Sequence, residues 1–575
     1  MLHSATHFGA RSVLACLAWA AALTNAHAQP VSITANATVA PADTFITPTA
    51  GGPSVPLRTA QITVSNAATL TISGQHHIAS LTLSGNSRAR HEPAIIIDTP
   101  TGPIYGLELT VDGNVTIEAG SGFDVTGLGY SAGSGPGRGQ DAPDPYRGGG
   151  GGYGGAGARS VPSSAANTPR FDSGPAYGSF REPRDFGSPG GASLGGTILG
   201  GAGGGCLRLI VSGEFNLNGF IRCDGAVAVN GASGSGGSVW ISATTLSGNA
   251  AIIAQGGQSY ITGGGGRIAI RATVLQLNTA NLLASATSGG GDSGTVYIEA
   301  GNNRPLLRLA GYGLIDRSTQ TPRPLTIDLP EGRVEIDRAM VVGSTVTIRC
   351  AELNVAQDSA IDVSEMGFPQ NEGPGRGLAL STGGGGAYGG AGGGRSGGLS
   401  NGGRPYGSFS QPIDLGSGGG CTPNAGSQGG AGGGAIRLHV SGLLKLDGEL
   451  RTNGAYAIGL AGDGSGGSIW VTAGSLLGNG FARANGRGYA GGGRISIEAP
   501  TSTFPADHLE ARSGFALPGS MYVDVNGERP KLTYDNRETP PRIFEITGSP
   551  LDIDLRGGDV EFRGCAITAT SVNIL

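Results

Sequence analysis

"GGAIRLHVSG", residues 433–442, sets two glycines before a run in which apolar and polar residues alternate, and it closes on Ser-Gly. In an extended chain Ile436, Leu438 and Val440 fall on one side and Arg437 and His439 on the other, which predicts a half-buried strand. Close copies begin elsewhere: "GGSVWISA" at Gly236, "GGGRIAIRA" at Gly264, "GGSIWVTA" at Gly466 and "GGGRISIEA" at Gly491. One such strand cannot bury its apolar side alone. Strands stacked about 4.8 Å apart pair every backbone group and set Ile on Ile. Each aliphatic side chain buried this way contributes roughly 1.5–3 kcal/mol.

The spacing of the copies fits stacking. The first inward residues are Leu207, Val239, Ile268 and Val296, at steps of 32, 29 and 28, and then Ile436, Ile469, Ile495 and Met521, at steps of 33, 26 and 26. Such steps are too long for tight hairpins and match one turn of a β-solenoid with two or three short strands per turn. A polar residue precedes the corner glycine at matching places: Asp224 and Asn453, then Gln255 and Asn485. A hydrogen-bonded ladder and plain Asn-Gly or Asp-Gly turn chemistry both account for it.

A longer repeat contains the short one. "GPGRG" begins at Gly135 and Gly373, "YGGAG" at Tyr153 and Tyr388, and "YGSF" at Tyr177 and Tyr406. "VYIEAGNNRP" from Val296 returns as "MYVDVNGERP" from Met521. "LTIDLPEGRVEI" at 325–336 is echoed by "LDIDLRGGDVEF" at 551–562. The expected organisation is therefore a signal peptide (1–28), a leader or N-terminal cap (29–56), a first unit (57–324, glycine-rich insertion 131–205), a second unit (325–550, insertion 371–434) and the start of a third (551–575).

Composition bounds the function. The 575 residues include 110 Gly and 32 Pro, only 14% are charged, and the formal net charge is −5. Glycine costs backbone entropy in long helices, so short strands joined by glycine turns are expected. The chain shows no basic run suited to neutralising phosphates, which argues against a nucleic-acid partner. The start, one Arg followed by "SVLACLAWAAALT" and Ala26-His27-Ala28, has the form of a secretory signal cut after Ala28. The expected destination is outside the cytoplasm: extracellular, on the cell surface or periplasmic. No later stretch reaches the roughly 18 apolar residues that span a bilayer. The five later cysteines (Cys206, Cys223, Cys350, Cys421 and Cys565) form no CxxC pair, so neither a zinc site nor a disulfide scaffold is expected.

Both insertions keep Tyr, then Tyr-Gly-Ser-Phe, then Asp185 or Asp414 ahead of Gly-Ser, in the same order. A flexible tether has no reason to keep such order, so an ordered flap over one face is expected. The outward residues form two stripes if strands stack in register: Arg208, Trp240, Ala269, Tyr297 and Arg437, Trp470, Ser496, Tyr522. Arg208, Trp240, Tyr297, Arg437, Trp470 and Tyr522 are the candidate ligand-contact residues, because Arg beside Trp suits cation–π contact and flat aromatics suit sugar CH faces. The competing expectation is that the flap covers the stripe and uses Trp as its anchor. No catalytic residues are assigned. "GDSG" at 291–294 has no recognisable His partner, and the acids are dispersed along the sequence. No cofactor or metal is expected.

Through "GGGGAYGGAGG" and "GGSIWV", together with the solenoid period, nearly all of the mature chain resembles the secreted right-handed parallel β-helix proteins of Gram-negative bacteria. Pectate-lyase-like enzymes and many adhesins share that architecture. The resemblance implies an all-β chain folded as a right-handed parallel β-helix with long glycine-rich insertions. The function expected is a non-enzymatic surface or matrix protein that binds polysaccharide or cell-surface glycans through its long faces. A polysaccharide lyase or hydrolase is the first alternative and a purely structural spacer the second. Clustered carboxylates across neighbouring turns would favour the enzyme.

Overall fold

Alternation along each strand decides which side chains enter the interior, and pairing decides what they meet there. The computed structural model describes residues 28–574 apart from 50, 95–105, 161–170, 287–289, 311–323, 395–400, 424–425, 536–541, 547–550, 554–558, 564 and 570–571. The expected signal peptide lies outside the described residues except for Ala28. The chain is nearly all β, with no α-helix among the described residues.

In the first unit the strands Cys206–Leu217, Ser238–Ser247, Arg267–Leu275 and Thr295–Ala300 pair parallel in chain order. In the second, Thr345–Val355, Ala435–Leu446, Ser468–Leu477, Arg494–Ala499 and Ser520–Val525 do the same. Between long strands the chain visits short strands of separate parallel sheets, such as Phe220–Arg222, Ala251–Ile253 and Leu282–Leu283. This layout is compatible with the expected β-helix. Residues 29–56 supply first strands, since Gln29–Ile33 pairs parallel with Ala60–Val64. Beyond 550, Leu551–Ile553 pairs parallel with Val572–Ile574.

The register is the expected one. Leu207, Val239, Ile268 and Val296 are successive partners, as are Ile436, Ile469, Ile495 and Met521. All eight are buried. The polar residues before the corners form a ladder: Asp224 Oδ1 accepts the Gln255 N–H at 2.7 Å, Asn453 Oδ1 that of Asn485 at 2.9 Å, and Asn485 Oδ1 that of Arg512 at 2.7 Å. Several long strands also bend, with register shifts at Val211/Glu214, Cys350/Leu353 and Val440/Leu443. At the first and last of these a Ser-Gly pair, like the one that ends the opening motif, forms the bulge.

The described parts of the glycine-rich segments are packed and hydrogen-bonded. They belong to no strand, yet their amides bond to neighbouring segments with a period of three. Ser233 and Gly236 donate to Ile261 and Gly264, Gly234 and Gly237 to Ala226 and Cys223, and Ser235 to Ser188. In the second unit Gly383 and Gly386 donate to Leu460 and Asp463, Gly384 and Ala387 to Leu378 and Gly375, and Gly385 to Gly393. Three successive amides thus point to three different neighbours, as a three-residue helical turn of the polyproline II kind requires. Such segments have no internal hydrogen bonds, so lateral partners satisfy them. Only glycine allows the approach: a Cβ on Gly464 would sit inside the carbonyl group of Ala431, and one on Gly402 inside that of Gly392.

The two units are not simple continuations of one another. After Thr295–Ala300 the strand Leu306–Ala310 runs antiparallel, with Tyr297 opposite Leu307 and Ile298 opposite Leu306. It then pairs parallel with the second unit, Leu307 opposite Val334. Residues opposite one another share a face of the sheet. Tyr297 is outward in the first unit, whereas Val334 is buried in the second unit's interior. The reversed strand therefore moves the apolar interior to the other face of the sheet. The pattern returns at the second unit's end, where Tyr522 faces Leu532 and Leu532 faces Val560.

Gly464→Ala separates a packed segment from a tether by sign. In a flexible chain Gly→Ala stabilises by about 0.4–1 kcal/mol. In this packing it should destabilise by roughly 1–3 kcal/mol, read as a lowered thermal or denaturant midpoint of the full chain.

Candidate functional site

Two outward rows run beside each other on the long strands of each unit. The first is the stripe expected from sequence: Arg208–Trp240–Ala269–Tyr297 and Arg437–Trp470–Ser496–Tyr522 are in register. The second lies two residues further along each strand.

Over the first stripe lies an arm from the glycine-rich insertion, and both units fix it in the same way. Tyr153 and Tyr177 pack with ring centroids 4.9 Å apart, as do Tyr388 and Tyr406. The Tyr153 hydroxyl meets Ser238 Oγ at 2.6 Å, and burial pushes its pKa well up. Tyr177 donates to the Phe186 carbonyl, and Tyr406 to that of Leu415. The buried Arg267 donates twice to the Tyr177 carbonyl (3.0 and 2.8 Å), and Arg494 twice to that of Tyr406 (3.0 and 2.9 Å). Asp185 and Asp414, repeated in the sequence, place a carboxylate against Gly178 and Gly407, both at positive φ (74° and 73°). They brace a turn that favours glycine.

His91 adds a further anchor in the first unit. His91 is buried against Phe186 of the arm (centroids 5.4 Å apart). Its Nδ1–H donates to the Glu92 carbonyl, and its Nε2 accepts the Cys206 N–H at 3.1 Å. Burial holds its pKa down at about 4.

In the first unit the arm closes the stripe. Trp240 is 6% exposed and Tyr297 1%. Arg208 and Arg184 stand 4.0 and 5.0 Å from the Trp240 ring centre, and Phe180 packs edge-on to Tyr297 at 5.7 Å. Arg181 reaches the Asp328 carbonyl of the second unit at 2.8 Å. Trp240 and Tyr297 also belong to the apolar cluster that continues into the second unit's interior. In the second unit the stripe is more open: Arg437, Trp470 and Tyr522 are all partly exposed. Arg437 donates to the Ile413 carbonyl at 2.9 Å, Phe409 packs on Tyr522 at 5.7 Å, and His439 stands edge-on to Trp470 at 5.1 Å.

The second row was not expected from sequence. In the second unit Asp328, Arg349, His439, Thr472, Glu498 and Asp524 are successive partners on six strands. The last five line a cavity of about 940 Å³ that follows the bend of the strands. His439 Nδ1 lies 3.0 Å from Thr472 Oγ1. Burial, then Arg349 and Arg437, lower the His439 pKa, while burial and the charge of Asp524 raise that of Glu498. The matching row of the first unit is Ile210, Ser242, Arg271 and Glu299. There Arg271 pairs with Glu299 at 3.2 Å and with Glu182 of the arm at 3.3 Å. Where the first arm carries Arg181, Glu182 and Arg184, the second carries Ser410, Gln411 and Ile413. Among the described residues neither Glu498 nor Asp524 has a cationic partner within 4 Å. Acids 26 residues apart in sequence thus share one groove in space. The signal for them was the alternation that located the stripe, carried one step further.

Cys206, Cys223 and Cys350 are buried and free. No His, Cys, Asp or Glu group suited to holding a metal occurs among the described residues, and no helix is long and apolar enough to cross a membrane.

Two outcomes follow from these placements. Acrylamide should quench Trp470 strongly and Trp240 weakly when each is read alone, in the Trp240→Phe and Trp470→Phe variants of the chain from Gln29 onward, which omits Trp19. The depressed His91 pKa means that the unfolded chain takes up the proton first as pH falls. The stability His91 provides is thus complete above pH 6.5 and declines by up to about 3 kcal/mol between pH 6.5 and 4. A His91→Gln variant should flatten that part of the stability–pH profile.

No family model, no curated protein and no solved structure matches this chain.

Proposed function

We propose that each unit is a right-handed parallel β-helix and that the chain is an exported, non-enzymatic surface or matrix component that binds polysaccharide. The observation that carries this is the groove on the second unit. It places Arg349, His439, Thr472, Glu498 and Asp524 at single-strand intervals along one line. Arg437, Trp470 and Tyr522 stand on the next row and remain partly exposed. A line of donors and acceptors beside an aromatic flank suits a polymer of repeating hydroxylated units. Modest affinity per sugar gains from repetition along the row. Arg208, Trp240 and Tyr297, the equivalent residues of the first unit, serve packing of the arm and of the following unit.

Affinity electrophoresis through gels holding neutral or acidic polysaccharides tests the proposal. At least one polymer should retard the full chain, and Trp470→Ala or Arg349→Ala should weaken that retention about five- to tenfold without altering the melting temperature. No retention by any polymer would leave the structural spacer as the better account.

One observation favours an enzyme instead. Glu498 and Asp524 face each other across adjacent strands, and the Glu498 pKa is raised. Two carboxyls facing one groove, one of them with its pKa pushed up by burial, are the kind of groups that acid-base cleavage of a glycoside uses. Release of reducing ends from a retained polymer, lost in Glu498→Gln, would establish hydrolysis and replace the non-enzymatic proposal.

A further inference from the structure

The groove on the second unit is polarised along its length. Its row begins at Arg349, passes His439 and Thr472, and ends at Glu498 and Asp524. All five line the cavity and none is buried. Strands stack about 4.8 Å apart, so Arg349 stands about 14 Å from Glu498 and about 19 Å from Asp524 along the row.

Neither end is neutralised from within. Among the described residues Arg349, Glu498 and Asp524 make no ion pair within 4 Å. Asp328, the partner of Arg349 on the strand beyond, stays outside the cavity. Arg437, on the neighbouring row, donates to the Ile413 carbonyl and adds a second guanidinium at the cationic end. The fields at the two ends have opposite sign. His439, lowered by burial, is lowered further by Arg349 and Arg437, and Glu498, raised by burial, is raised further by Asp524.

The first unit provides an internal comparison. Its corresponding row is Thr110, Ile210, Ser242, Arg271 and Glu299. Thr110 stands at the place of Arg349, and Ile210 at that of His439. Where the second unit has Glu498 and Asp524, the first has the ion pair of Arg271 with Glu299, joined by Glu182 of the arm. The same scaffold thus folds with a row that holds no separated charge, so packing does not require the polarity of the second.

A ligand that complements this groove brings negative charge to one end and positive charge to the other. Every strand of the row is paired on both sides, which leaves no backbone edge for a peptide to extend. Trp470 and Tyr522 flank the row and offer flat faces to sugar rings. Successive pyranose rings repeat at close to the strand spacing, so the two ends lie a few rings apart. We propose that the groove selects a polysaccharide bearing both signs of charge on one chain, with a uronate at Arg349 and the ammonium of a free amino sugar between Glu498 and Asp524. This rests on the polysaccharide reading above and names the class of polymer.

One backbone in four forms tests it: heparosan (acid only), its N-deacetylated form (acid and amine), the carboxyl-reduced N-deacetylated form (amine only) and carboxyl-reduced heparosan (neither). Binding of the full chain to each immobilised polymer is read by biolayer interferometry. The doubly charged form should bind at least fivefold tighter than either singly charged form, and added salt should shrink the difference. Glu498→Gln combined with Asp524→Asn should abolish the gain from the amine and keep the gain from the acid. Arg349→Gln should do the reverse, with the melting temperature of both variants unchanged. Equal binding of all four forms, or binding of a Glu–Lys copolymer as tight as that of the doubly charged form, would overturn the proposal. So would silence of all four while another polysaccharide is retained, which leaves the polysaccharide reading standing. Retention by no polysaccharide at all would remove both.

Discussion

In-register pairing of parallel strands is the constraint on which everything else rests. Once Ile469 is opposite Ile436 and Ile495, each inward residue of the strand has an apolar partner above and below. Inward rows become continuous aliphatic ribs, and outward rows become continuous lines of function. A slip of one residue would exchange the two faces and expose every rib. The ladder from Asn453 through Asn485 to the Arg512 amide ties each turn to the next with polar groups that tolerate no such slip.

Glycine extends the same principle beyond the strands. Where strands pair through two edges, the three-residue segments bond in three directions, and they do so only because nothing projects from their α-carbons. This accounts for the composition: most of the described glycines stand against a neighbouring backbone and serve contact between backbones more than turns or flexibility. The arms grow out of this packed region and are pinned by one set of tyrosine, arginine and aspartate contacts, repeated in both units. Repetition of the scaffold freed the details. Glu182 and Arg271 close the first unit's outer row by charge, while Gln411 and Glu498 leave the second unit's row open.

Much of the fold was legible in the sequence. Alternation in "AIRLHV" gave the inward and outward sets, and the spacing of copies gave the parallel stack, because both follow from strand geometry alone. The insertion order Tyr, Tyr-Gly-Ser-Phe, Asp gave an ordered flap, and the covering of Trp240 was one of the two outcomes weighed. Three features were hidden. The switch of the interior to the opposite face depends on one reversed strand, Leu306–Ala310, whose direction leaves no mark in "LLRLA". The three-directional glycine bonding depends on partners a hundred residues away and more, such as Gly389 with Gly492 and Ala156 with Asp292. The groove of Glu498 and Asp524 emerges only when the outward rows are followed past the aromatic stripe, since carboxylates far apart along the chain look unrelated until the register is known.

The claim that bears most weight is that the glycine-rich insertions are packed, hydrogen-bonded structure. Native-state hydrogen exchange resolved to short peptides tests it most directly. Amides of residues 148–158 and 383–393 should be protected to an extent comparable with those of the strand Ala435–Leu446. Exchange of those glycine segments at the rate of an unstructured chain, alongside protected strands, would contradict the account.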